Sequence, residues 1–134
     1  MTPEATVKKQ VMKELEKMGA YFFYPVTGGY GKSGVPDIVG CYMGKFFGIE
    51  VKSGNNKPTM LQVKNLREIR EAGGIALVIN EQNVGSTATY IEQAWSMTEA
   101  MAADYQSKYG KNAKKDNQGL EPEKLVYNDE DTKL

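Results

Sequence analysis

The chain has 134 residues, of which 25% are charged and 40% hydrophobic, with a formal net charge of zero; that is the size and balance of one globular domain with one core. It contains no histidine and a single cysteine, which excludes triads with a His base, zinc sites with imidazole ligands, internal disulfides and thiolate clusters. Any hydrolytic chemistry must therefore use carboxylates, lysine and metal-bound water.

No apolar run approaches the ~18 residues needed to cross a bilayer. The charged start MTPEATVKKQ has no secretory-signal pattern, so a cytoplasmic protein without membrane association is expected. Charge is unevenly spread: residues 1–80 carry 11 Lys/Arg and 7 Asp/Glu, residues 81–134 carry 6 and 10. The positive excess in the first part leans modestly toward a polyanionic partner.

In chain order, Thr2, Pro3 and Glu4 read as a helix start, with a capping hydroxyl, a first-turn proline and an acid near the positive dipole end. The helix is expected to reach Met18 and stop at Gly19. The aromatic segment from Ala20 to Tyr24 reads as a strand, Pro25 opens a glycine-rich loop ending at Pro36, and strands follow at 37–43 and 46–52. Gly44 and Lys45 are expected to make a two-residue hairpin turn of the Gly-X kind. Cys41 is expected to pack as a small apolar residue inside its strand.

After the loop SGNNKP, Thr59 and Gln62 form a capping-box pattern that opens a helix closing at Gly73 and Gly74. The segment Ile75 to Ile79 reads as a fully buried strand. Thr89 and Glu92 repeat the capping-box spacing and are expected to open a last helix with Ile91, Trp95, Ala102 and Tyr105 on its apolar face. The order is αβββαβα, an α/β fold, for a domain over residues 1–110. From residue 111 the composition turns polar, with Leu120, Leu125, Val126 and Tyr127 as the docking points of a loosely attached tail over 111–134.

A turn at Gly44 and Lys45 sets Met43 opposite Phe46, Val39 opposite Glu50 and Asp37 opposite Lys52. Alternation then puts Asp37, Glu50 and Lys52 on one face of the sheet and Phe47, Ile49 and Val51 on the other. Asp37 and Glu50 become diagonal neighbours roughly 7 Å apart, a gap two carboxylates close round a shared cation. Hard oxygen ligands of this kind suit Mg²⁺ or Mn²⁺. The competing interpretation is a surface salt-bridge ladder with little effect on stability.

Helical phase adds two polar residues. Glu4 falls in register with Val7, Val11, Leu15 and Met18, and Gln62 shares a face with Leu66 and Ile69. A polar group buried on a core-facing stripe without a partner costs about 1–3 kcal/mol, so both are site candidates. The plain alternatives are a dipole partner for Glu4 and a completed capping box for Gln62. Gly29, Gly31 and Gly34 match GxGxxG, and Gly31-Lys32-Ser33 resembles the end of a P-loop. However, Val26 stands where the first P-loop glycine belongs, and a strand follows where either motif requires a helix.

Pro36-Asp37 followed by Glu50-Val51-Lys52 reproduces the PD-(D/E)XK signature. With Glu4 in the first helix, Gly34 to Asp37 as GxPD, and Thr59 to Gln62 as TxxQ, residues 2–80 resemble the VRR-NUC family of that nuclease superfamily. The resemblance implies a restriction-endonuclease-like αβββαβ core with an added C-terminal helix, and a phosphodiester hydrolase of the kind that phage and bacterial members use on branched DNA such as Holliday junctions, as homodimers. It implies that Asp37, Glu50 and the Val51 carbonyl hold Mg²⁺ or Mn²⁺, with Glu4 in an inner or outer shell. Lys52 would orient or activate the attacking water, and Gln62 would support that lysine or the phosphate. Lys32, Ser33, Lys57 and Thr59 are the candidate nucleic-acid contacts. Two alternatives stand beside this: a catalytically silent nucleic-acid-binding or assembly protein on the same fold, and a restriction-type endonuclease, for which the length leaves no recognition domain.

Overall fold

The computed structural model describes residues 1–26, 29, 31–94, 103–104 and 107–108. Helix α1 (Pro3–Met18) starts where Thr2 accepts the Ala5 N–H and ends at Gly19, whose φ of 79° is the left-handed stop that glycine adopts freely. Strands β1 (Tyr21–Phe23), β2 (Ile38–Tyr42) and β3 (Lys45–Val51) follow. Helix α2 (Met60–Glu71) then leads to β4 (Ile75–Ile79), and a 3₁₀ turn (Val84–Ser86) runs into α3 (Thr87–Gln93). The sheet order is β1-β2-β3-β4, antiparallel except for the β3–β4 pair, which α2 joins as a parallel crossover.

At β3 and β4 the sheet is covered on both faces, which is why the second half of β3 is buried throughout. On one face Ile38, Phe47, Ile49, Val51, Leu77 and Ile79 pack with Val7, Val11 and Leu15 of α1 and Tyr90 and Ile91 of α3. On the other face lies α2, so close to β3 that a Cβ on Gly48 would come within 2.7 Å of the Ile69 side chain and 2.9 Å of Pro36.

Three expectations are corrected. The hairpin turn is Met43-Gly44, both at positive φ (49° and 79°) as a type I′ turn requires, and Tyr42 pairs with Lys45. Lys45 is drawn into the strand because its amine donates to the Ile91 and Glu92 carbonyls at the end of α3, 3.2 Å each. Moving the turn by one residue moves each cross-strand partner by two, so no side chain changes face.

The last helix opens at Thr87 rather than Thr89. The preceding 3₁₀ turn feeds directly into it, and the Thr87 hydroxyl donates to the Val84 carbonyl at 2.7 Å. Cys41 lies within β2 but is exposed. Helix α2 packs chiefly on β4 and β3 and leaves the same face of β1 and β2 open, where Tyr21 (69% exposed), Phe23 (50%) and Phe46 (48%) join the cysteine. Trp95, Ala102, Tyr105 and the tail over 111–134 lie outside the described residues.

Candidate active site

With Ile38 opposite Ile49, one further step along the register sets Asp37 beside Glu50. The two carboxylates are therefore direct cross-strand neighbours rather than the diagonal pair that the expected turn implied. Asp37 sits just before β2, where the chain leaves the sheet, and its Oδ2 takes the place of a strand by accepting the Val51 N–H at 2.9 Å. In an extended strand a residue's N–H and C=O point to the same edge. The Val51 carbonyl accordingly faces the edge on which Asp37 lies.

Glu50 is buried, 1% exposed. Its Oε2 receives two donors, the Gln62 Nε2 at 3.0 Å and the Lys52 Nζ at 3.3 Å. Its Oε1 is buried and meets no donor. A buried carboxylate oxygen with no donor is costly. Burial raises the Glu50 pKa to about 8, the Asp37 charge beside it adds to the rise, and the Lys52 ammonium opposes it.

Gln62 is placed by the capping box that the sequence shows. The Thr59 hydroxyl accepts the Gln62 N–H at 3.2 Å, and the Gln62 Oε1 accepts the Thr59 N–H at 2.8 Å. The cap and the site thus share one side chain.

The structure brings Asp37, Glu50, Lys52 and Gln62 together. Glu4 is half-buried in the first turn of α1 and makes no hydrogen bond or ion pair among the described residues. Lys32 is exposed and ion-paired with Glu68 of α2. The Ser33 carbonyl accepts from the Asn65 amide at 3.1 Å, and Lys57 is exposed.

Asn65 escaped the sequence analysis. It is 4% exposed and its Nδ2 also donates to the Leu61 carbonyl at 2.9 Å, so it pins the loop that delivers Asp37 to α2. The signal was present: Asn65 is one turn beyond Gln62 on the same face, a polar residue on a packed stripe. Gly34 makes this approach possible, because at its φ of 75° a Cβ would stand 2.6 Å from the Leu61 Cγ.

The donor set fits a hard divalent cation. Two adjacent carboxylates, one with a buried oxygen lacking any donor, and a carbonyl on the same edge are oxygen ligands of the kind Mg²⁺ and Mn²⁺ take. No three His, Cys, Asp or Glu side chains converge among the described residues, so water and substrate oxygens would supply the remaining ligands.

An α/β core with PD at the entry to β2 and ExK closing β3 defines a restriction-endonuclease-like domain of the PD-(D/E)XK class. No family model and no curated protein matches the sequence. Among solved structures, one described as a VRR_NUC domain is similar with a TM-score of 0.59 and 25% identity, covering 71% of this chain and 100% of that one. Within the PD-(D/E)XK class, the fold and the order of the site elements are thus similar to those of a VRR-NUC domain. No helix among the described residues is long and apolar enough to cross a membrane.

Proposed function

We propose that the chain is a divalent-metal-dependent nuclease that hydrolyses phosphodiester bonds, acting as a structure-selective DNA endonuclease of the Holliday-junction-resolving kind. The observation that carries this reading is the buried Glu50 between Asp37, Lys52 and Gln62, with Oε1 left without a donor. A surface salt-bridge ladder would be solvated and would need no such oxygen.

Asp37, Glu50 and the Val51 carbonyl would hold the ion. When bound, Mg²⁺ or Mn²⁺ lowers the pKa of a water and offsets charge growing on the phosphate oxygens. The chain's own groups do the rest. Lys52, tethered to Glu50 and with its side chain 13% exposed, has donors left over for the attacking water or a phosphate oxygen. Gln62 keeps Glu50 from turning, and Glu4 is assigned to the inner or outer shell of the metal on family resemblance alone. Lys32, Ser33 and Lys57, on the loops before β2 and α2, are assigned to the substrate strand, for which a phosphate would have to displace Glu68 from Lys32. The Thr59 hydroxyl is already engaged in the α2 cap.

The test is a panel of end-labelled junction, flap, nicked and linear DNA, with matched RNA, incubated with Mg²⁺, Mn²⁺ or EDTA. Cleavage of branched DNA that EDTA abolishes is the expected result. Binding of the same substrates without cleavage under either metal would favour the silent assembly protein instead.

A further inference from the structure

The amide of Gln62 has two ends with opposite chemistry, and only one orientation serves the site. Its oxygen faces the Thr59 N–H at 2.8 Å, which leaves the NH₂ group to donate to Glu50 Oε2 at 3.0 Å. The reversed amide would set two donors against each other at Thr59 and two acceptors at Glu50. The N–H at the cap of α2 therefore decides which group Gln62 presents to Glu50. Gln62 and Lys52 both occupy Oε2, so the carboxylate is held with Oε1 as its unengaged oxygen.

We propose that Thr59 is a positioning residue: through its backbone N–H and the Gln62 amide, the cap of α2 orients Glu50 so that Oε1 is the oxygen offered to the divalent cation. This rests on the metal-site reading above and adds a role for a residue that family resemblance assigns at most to the nucleic acid. Partners that orient a ligand from behind typically change metal affinity by about 10–100-fold when lost.

Two substitutions at one position isolate the N–H. Thr59→Ala and Thr59→Pro both delete the capping hydroxyl, but only proline removes the N–H, and the Thr59 φ of −69° already suits proline. Mn²⁺ affinity is measured by titration calorimetry on the full chain, with the melting temperature of each metal-free variant recorded. The expected result is that Thr59→Pro binds Mn²⁺ about tenfold more weakly than Thr59→Ala. In a Gln62→Ala background the two substitutions should become equal, because the effect runs through the Gln62 amide.

Equal Mn²⁺ affinity of folded Thr59→Ala and Thr59→Pro, beside a wild type that binds Mn²⁺, would overturn the proposal and leave the nuclease reading standing. An equal gap between them with and without Gln62 would do the same, since the effect would then be one of helix stability. If Thr59→Pro does not fold, Gln62→Ala carries the test, and wild-type Mn²⁺ affinity in that variant overturns the proposal. A wild type that neither binds Mn²⁺ nor cleaves would bring down the metal-site reading itself.

Discussion

Glu50 carries two costs in the metal-free protein, desolvation under α2 and the negative charge of Asp37 beside it. Its ordinary pKa is 4.5 and its folded value about 8. Below pH 4.5 both folded and unfolded chains hold the proton; between 4.5 and 8 only the folded chain holds it, so stability falls as pH rises across that window. Each pKa unit is worth about 1.4 kcal/mol. Glu50→Gln removes the ionisation, so the metal-free variant should melt no lower than wild type and its advantage should widen from pH 5 to pH 8. A difference in melting temperature that stays flat over this range would contradict the buried-carboxylate argument.

The same substitution, like Asp37→Asn, should abolish cleavage under Mg²⁺ while leaving the fold intact, as circular dichroism and activity together would show. Lys52→Ala is expected to lose chemistry far more than affinity, because one phosphate contact among several adds little to binding. Gel shifts in Ca²⁺ beside cleavage rates in Mg²⁺ read the two separately. A parallel fall in both would make Lys52 a substrate-holding residue only.

At the scale of elements, the β2–β3 turn is the strained place. Met43 is the one non-glycine residue at positive φ among those described, and it is 74% exposed. A left-handed residue with a Cβ costs roughly 1–2 kcal/mol, and Asn-Gly is a favoured type I′ pair. Met43→Asn should therefore stabilise the fold by up to about 1 kcal/mol, read as a higher denaturation midpoint, and leave cleavage unchanged because the turn is at the far end of β3 from Glu50. A lower midpoint would mean that the Met43 side chain has a partner. Helix α2 shows the opposite economy: Gln62 secures Glu50, Asn65 secures the loop before Asp37, and Ile69 closes over Gly48, all from one face.

At the scale of the molecule, a branched substrate with two strands to cut calls for two sites, which a two-fold dimer supplies with matching symmetry. We propose a homodimer on that ground, through Ala94, Met97 and Met101 together with Leu125 to Tyr127; of these only Ala94 lies within the described residues, where it closes α3 in an extended conformation. Light scattering at micromolar concentration should return about twice the monomer mass. Met97→Glu combined with Met101→Glu should shift it toward monomer. A monomeric wild type that cuts both strands of a junction would refute the assembly.

What the sequence determined by itself was local or periodic. Caps at Thr2 and Thr59, the stop at Gly19 and the alternation along Phe47 to Val51 depend on neighbours within a few residues, and they located α1, α2 and β3 and gathered Asp37, Glu50 and Lys52 on one face. That assignment survived a misplaced turn because a one-residue slip in the turn changes cross-strand partners by two and preserves the face. Only the tertiary structure decided which helix covers that face. The parallel crossover lays α2 over β3 and β4, which buries Glu50, turns Gln62 onto Oε2, strips Oε1 of donors and leaves Cys41 in the open. Burial and its effect on a pKa depend on what is packed above a side chain, and that partner comes from a distant part of the chain that no local pattern specifies.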